Sequence, residues 1–284
     1  MSSLPTPVPF TIEPKRPRID LLRWRKRVLP VFALVLIVLA WHFGIQLFEL
    51  KDYLFPTPTA VAQALWQGLV GGMLWPHILT TLSEIVIGYV VGCTVALLFA
   101  ALVSEFELLE EAIYPLMAGF QSIPKVALAP LLMVWFGFEI ESKIIMVALV
   151  CFFPTFVNAF SGLRNPNPNL VALYKAFGST RWQLFKGIKL PAAAVSIFAG
   201  LEISVVLALI GAVVAELIAS RRGLGHVIAS SGANFNVAMM FACVVVLALI
   251  GMALTQIVRR ARRRFVFWER NGERQASSKA AALL

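Results

Sequence analysis

Lys125 and Glu202 lie inside long apolar runs, and Glu84 and Glu216 lie near the ends of two others. A charge in hydrocarbon is costly. Such side chains face a protein interior or a water-filled path, pair with one another, or snorkel to the interface from a span end. The chemistry on offer is therefore solute passage and gating, or structural ion pairing, a Lys125–Glu202 pair being one form of the latter. Lys125, Glu202 and Glu216 are the candidate pathway or gating residues. Bond-making chemistry has less support. His42, His77 and His226 stand far apart, with no HExxH pattern and no carboxylate–histidine cluster. Cys93, Cys151 and Cys243 sit in apolar runs without CxxC or Cys/His spacing and read as small apolar side chains. No catalytic, cofactor-binding or metal-binding set is expected. The sequence has no Gly-Lys dipeptide, hence no GxxxxGK[ST] phosphate loop, so any ATP-driven work must be powered by another chain.

The elements that would position these residues are set by composition. The chain has 284 residues, 59% hydrophobic and 14% charged, with a mean hydropathy of +0.81. Soluble domains carry about 25% charged residues, so the solvent for most of this chain is a bilayer. Six spans are expected at about 29–48, 80–103, 112–138, 144–163, 194–217 and 237–258. Pro124 and Pro130 bend or break the third, which Lys125 interrupts; Pro154 is a further candidate break. The formal charge of +10 sits mainly in three clusters that flank spans: Lys15 to Arg27, Arg164 to Lys189, and Arg259 to Arg264. With a basic N-terminus inside, all three fall on the cytoplasmic side, together with both termini. Acidic residues between spans two and three (Glu105, Glu107, Glu110, Glu111) and Arg221 and Arg222 run against this pattern. No basic folded domain is left over to bind nucleic acid. Residues 1–28 and 265–284 read as tails, and residues 29–264 as the membrane domain.

Between spans one and two, Thr57 and Pro58 read as the cap and first residue of a short interfacial helix with Val61, Leu65 and Leu69 on one face. Small residues recur every fourth position in span two (Gly88, Gly92, Ala96, Ala100) and span five (Gly200, Ser204, Ala208, Ala212). This spacing lets helix backbones approach closely, for packing within one bundle or for a subunit seam or path face.

The stretch KAFGSTRWQLFKGIKLP, Lys175 to Pro191, interrupts the apolar runs. Residues 169–177 are helix-compatible, Gly178 can take the left-handed conformation that ends a helix, and Ser179 suits the cap of the next. There Trp182, Phe185 and Ile188 fall at i, i+3 and i+6, flanked by Arg181, Lys186 and Lys189; Pro191 stops the pattern or opens the next span. A membrane-surface helix, a plain connector and a protein-docking element all satisfy this pattern.

Gly178, Ile188, Leu190 and Pro191 stand in register with the cytoplasmic signature loop of the permease subunits of bacterial ABC importers, EAA, three residues, Gly, then Ile-x-x-Leu-Pro. The EAA triplet itself is replaced by Ala172, Leu173 and Tyr174. SIPKVALAPLLMVWFG (Ser122–Gly137), AE (Ala215, Glu216), GLG (Gly223–Gly225) and FPTPTAV also resemble the nitrate/sulfonate/taurine-type branch. Together these cover most of residues 55–260, with a signature core at about 76–260. The resemblance implies an all-α integral membrane protein of about six transmembrane helices, with a cytoplasmic coupling helix between spans four and five. It implies a multi-pass permease of the bacterial inner membrane, paired with a second permease copy. An ATP-binding cassette subunit would receive the loop formed by Gly178, Ser179, Arg181, Trp182, Phe185, Ile188, Leu190 and Pro191, and an extracytoplasmic binding protein would deliver the solute. That solute would be of the nitrate, sulfonate, taurine or vitamin-precursor type. A secondary transporter driven by an ion gradient is the alternative.

Overall fold

The computed structural model describes residues 19–49, 51 and 54–268. Lys15, Arg16 and Arg18 of the first basic cluster lie outside the described residues, as do the side chains of Arg23, Arg25, Lys26 and Arg27. The chain divides into two units, residues 1–51 and 52–284. The first unit is α1 (Ile19–Leu47), which carries Pro30 within it and is apolar enough to cross a membrane over Val28–Leu47.

The second unit begins with α2 (Pro58–Val70). Thr57 caps it through a hydrogen bond from the Ala60 N–H, with Pro58 in the first turn, as the sequence leads one to expect. Long helices follow at α3 (Leu74–Glu105), α6 (Ile140–Arg164), α9 (Leu190–Ala219) and α11 (Val237–Phe265), each long and apolar enough to span. Between α3 and α6 the expected third span is a broken one. α4 (Glu107–Gln121) meets a 3₁₀ turn (Lys125–Leu128) and α5 (Ala129–Phe136) at 87°, giving five spans among the described residues, or six with this pair. The break falls at Pro124, whereas Pro130 sits harmlessly in the first turn of α5. Pro154 does not end α6, which runs from Ile140 to Arg164; Asn158 Nδ2 donates to the Pro154 carbonyl at 2.8 Å. α7 (Pro168–Ala176), α8 (Arg181–Leu184) and α10 (Leu224–Ala233) complete the unit.

The core is α6 held between α3 and α9, and the two small-residue stripes make that approach feasible. A Cβ on Gly88 would stand 2.6 Å from Val147 Cβ, one on Gly92 would strike the Ala148 backbone, and one on Gly200 would stand 2.8 Å from Asn158 Cβ. Ala96, Ala100, Ser204, Ala208 and Ala212 are likewise buried. The stripes therefore pack this bundle internally. In hydrocarbon such contacts gain from dispersion and polar links rather than from expelled water. The links are present: Thr155 Oγ1 lies 2.7 Å from Ser204 Oγ, Ser204 Oγ donates to Cys151 O, and Tyr89 Oη donates to Leu201 O. Gly92→Val is expected to destabilise the bundle by about 1–3 kcal/mol through overpacking, seen as a lower thermal midpoint in detergent. Gly119→Val, where a Cβ would meet nothing within 4 Å, is the unaffected control.

The ladder of contacts also fixes which loops share an end. Lys189 Nζ meets Glu105 Oε1 at 2.6 Å and Arg164 Nε meets Glu110 Oε2 at 2.9 Å. The acidic α3–α4 elbow thus lies at the same end as the second basic cluster, neutralising it in part.

Candidate functional site

The end of the bundle that carries the basic clusters builds the first site. Asn167 caps α7 through the Asn169 N–H. Gly178, at φ +71, closes it: its N–H donates to Lys175 O and the Ser179 N–H to Tyr174 O, the paired bonds of a Schellman close. Ser179 is not the cap of the next helix. Thr180 is, because Gln183 three residues on returns the bond: the Gln183 N–H donates to Thr180 Oγ1 and the Thr180 N–H to Gln183 Oε1 at 2.8 Å. TRWQ is a capping-box pattern, so the sequence did hold the signal. α8 is also not a free-standing helix. It runs through a π turn (Phe185–Lys189) into α9, with Pro191 directly after that turn.

The expected apolar face splits in two. Leu184 and Ile188 are buried against the bundle, while Trp182 is 68% exposed and stacks on Phe185 at 5.9 Å between ring centroids. Phe177, at 81%, is more exposed still. Arg181, Lys186 and Leu190 are exposed, and Lys189 is tied back to Glu105. Between α7 and α8 lies a hollow of about 760 Å³ lined by Tyr174, Phe177, Ser179, Trp182, Gln183 and Lys186. Tyr174, in the altered triplet, fills space beside Gly187, where a Cβ would come 3.2 Å from its ring; Ala172 and Leu173 are exposed. The result is an exposed Trp182 stacked on a half-buried Phe185 and rimmed by cations around a concavity.

The opposite end of the bundle joins motifs that the sequence keeps apart. Glu216, 1% exposed, accepts from Thr81 Oγ1 at 2.6 Å and from the Gly225 N–H at 2.6 Å. The Leu224 N–H donates to the same Thr81 hydroxyl and the Gly223 N–H to His77 Nδ1. Gly223 has φ +108, and a Cβ on it would strike the Glu216 carboxylate. The first turn of α10 is thus satisfied by side chains of α3 and α9, with the Glu216 carboxyl group at its N-terminal end. AE and GLG are two halves of one clasp. Glu84, fully buried one turn deeper on α3, and Lys143, 3% exposed, face it within electrostatic reach. Lys143 Nζ donates to Phe138 O and Glu139 O. Sequence reasoning passed over Lys143, which stands just before the expected span at 144–163.

Lys125 and Glu202 do not meet. Glu202 is held by Arg262 at 3.3 Å and Arg259 at 3.5 Å, which links α9 to the basic end of α11. The third basic cluster lies beside Glu202, a proximity that linear spacing hides. Lys125, at the break in the bent span, lies 4.8 Å from the Phe153 ring centroid and lines a hollow of about 270 Å³ with Gln121, Phe153, Pro154 and Leu207. Among the described residues no group of three or more His, Cys, Asp or Glu side chains is placed to hold a metal.

The family described as "binding-protein-dependent transport system inner membrane component" matches residues 88–267, a span that holds the packing stripes, the loop of α7 and α8, and the α9 and α10 side of the clasp, with His77 and Thr81 lying before it. The chain is 33% identical over 258 residues to the riboflavin transport system permease protein RibX of Chloroflexus aurantiacus, covering 91% of this chain and 96% of that one. It is 32% identical over 223 residues to the formylaminopyrimidine transport permease protein ThiX of Halalkalibacterium halodurans, covering 78% and 88%. It is 27% identical over 259 residues to the putative aliphatic sulfonates transport permease protein SsuC of Bacillus subtilis, covering 91% and 93%. The fold resembles that of a chain in inward-facing structures of the MetNI methionine ABC transporter, with a TM-score of 0.60 at 17% identity over 68% of this chain and 98% of that one. With its apolar spans, the chain belongs to the binding-protein-dependent transport system inner membrane components, as an ABC-importer permease of the sulfonate- and taurine-like branch.

Proposed function

We propose that this permease forms the translocation path for a small solute of the vitamin-precursor, sulfonate, taurine or nitrate type, and that residues 168–191 couple it to a separate ATP-binding subunit. The observation that carries this reading is the stacked Trp182–Phe185 pair, standing out on a basic helix–turn unit that is rigidly continuous with α9. A partner gripping Trp182 would move α9, and α9 carries Glu202 and Glu216 toward the far end. Coupling requires that the partner favour one of two arrangements of the bundle. In the chain's loop Gly178 and Ser179 set the turn, Arg181 and Trp182 face the partner with Phe185 stacked behind Trp182, Ile188 fastens the turn to the bundle, and Leu190 and Pro191 carry it into α9.

The three charged candidates then divide their work. Lys125 lines the path at the broken span, while Glu202 and Glu216 are gate anchors that tie the middle and the far end of α9 to its neighbours. The names of the relatives support the solute range: riboflavin, formylaminopyrimidine, aliphatic sulfonates and taurine. The basic clusters support both termini, and the tails at 1–28 and 265–284, on the cytoplasmic side. A second copy of this chain would complete the path, and an extracytoplasmic binding protein would present the solute. No relative favours the ion-driven alternative, and α6 runs unbroken through Pro154.

Trp182→Asp tests the reading. The variant is expected to insert and fold normally, because the side chain is exposed, and to lose a co-purifying ATP-binding subunit when captured from native membranes in mild detergent. A variant that retains a stoichiometric ATP-binding subunit would overturn the docking role. A wild-type chain that captures none would overturn the coupling reading.

A further inference from the structure

Two hollows at the basic end of the bundle adjoin at Leu163, and their linings differ. One is an apolar groove of about 570 Å³ lined by Leu97 on α3, by Ile197, Phe198 and Leu201 on α9, and by Phe265 and Trp268 after them in sequence. The other is a pocket of about 560 Å³ lined by Arg164, Lys175, Arg181 and Lys189, with Glu105 and Glu107 opposing them. Leu163 lines both. The seam between them follows the chain: Leu184 and Lys189 face the pocket, and their neighbours Phe185 and Leu190 face the groove.

The charge in the pocket is not balanced from within. Four cations face two carboxylates. Lys189 and Arg164 are engaged by Glu105 and Glu110, whereas Lys175 and Arg181 make no ion pair among the described residues. The groove beside it offers almost nothing polar. An occupant must therefore be an anion joined to a long apolar chain.

We infer that the joined groove and pocket bind one anionic phospholipid, its acyl tail along α3 and α9 and its phosphate-bearing headgroup between Lys175 and Arg181. Basic groups at a membrane surface attract anionic headgroups, and an apolar slot beside them adds tail burial to that attraction. The site brackets the π turn, where α8 feeds into α9, so a bound lipid touches both the docking turn and the span it would move. π turns often accompany functional sites. The assignment does not depend on the ATP-coupling reading, because the chain alone builds both halves.

The test is lipid retention by the purified chain. Wild type, Lys175→Gln/Arg181→Gln and Ala194→Trp are reconstituted in nanodiscs of mixed neutral and anionic phospholipid, extracted in mild detergent, and examined by native mass spectrometry. Ala194 lines the groove, so its tryptophan variant fills the slot and leaves the charges in place. The wild type is expected to carry one phospholipid, enriched in anionic headgroups by roughly tenfold over the nanodisc mixture, on the order set by two basic groups. The charge variant, altered at exposed residues, keeps a lipid and loses the enrichment; the groove variant loses the lipid. Identical lipid content and class in wild type and charge variant overturns the headgroup assignment. If the groove variant fails to fold, Ala194→Cys replaces it, and its labelling by a maleimide must be slowed by anionic lipid. A cysteine there that cross-links to a second copy and ignores lipid shows that protein fills the slot, which overturns the proposal.

Discussion

Glu216→Ala is expected to cost about 3 kcal/mol or more, since each hydrogen bond to a charged group contributes about 1.5–3 kcal/mol and two are lost. Thr81 Oγ1 and the Gly225 N–H both end on this carboxylate, which is 1% exposed. Their donors would be left buried without water to replace it. Glu216→Gln separates charge and shape from acceptor count. A carboxylate accepts through both oxygens, whereas a carboxamide has one acceptor and turns a second donor toward groups that already donate. Gln can satisfy Gly225 or Thr81 and leaves the other unpaired, at about 1–3 kcal/mol. Gly223→Ala attacks the same clasp from the other side, through a φ of +108 and a Cβ that strikes the carboxylate. The ranking of thermal midpoints in detergent is therefore wild type, then Glu216→Gln, then Glu216→Ala. Gly223→Ala should fall at or below the Gln variant. A Glu216→Ala protein that melts with wild type would mean that the clasp does not hold α10 to α3 and α9.

How far the sequence alone could reach is shown by this clasp and by the basic end. Most features with a local cause are legible in the sequence. Apolar length marked the spans, Thr57–Pro58 marked the start of α2, and Gly178 marked a left-handed turn. Glycine and alanine every fourth residue marked the faces that α3 and α9 turn to α6. These features depend on backbone geometry and helix period, which the sequence writes directly. What escaped depends on which spans meet. Glu202 finds Arg259 and Arg262, not Lys125, because α11 returns antiparallel to α9 and lays its basic end beside that turn. Glu216 looked like a residue at a span end. It is buried because α10 folds back over it, a return announced only by two glycines whose reason is a carboxylate that precedes them. The cap that falls on Thr180 rather than Ser179 is a different kind of miss, since Gln183 was there to be counted.

Gly178→Val is expected to uncouple ATP hydrolysis from transport while leaving the bundle intact. The two consequences separate because Gly178 touches nothing: a Cβ there would have no atom within 4 Å. No packing is lost by adding a side chain, so the whole effect passes through the backbone. At φ +71 the residue closes α7 with bonds from its own N–H to Lys175 O and from Ser179 to Tyr174 O. A β-branched residue resists that region, and holding a non-glycine residue there costs about 1–3 kcal/mol. That cost is small beside the packing of α6 between α3 and α9, and large for a turn held by two bonds. The turn opens, α7 and α8 lose their fixed angle, and the hollow bordered by Phe177 and Trp182 loses its shape. Gly178→Asn is the informative partner, because asparagine tolerates the left-handed region far better than valine. In proteoliposomes with the ATP-binding subunit and binding protein, Asn is expected to keep most of the solute moved per ATP hydrolysed. Val should lower that ratio several-fold at an unchanged thermal midpoint. Equal ratios for Val and wild type would place the transmission of force elsewhere along α9. A lowered midpoint would mean instead that the turn supports the bundle as well as the partner.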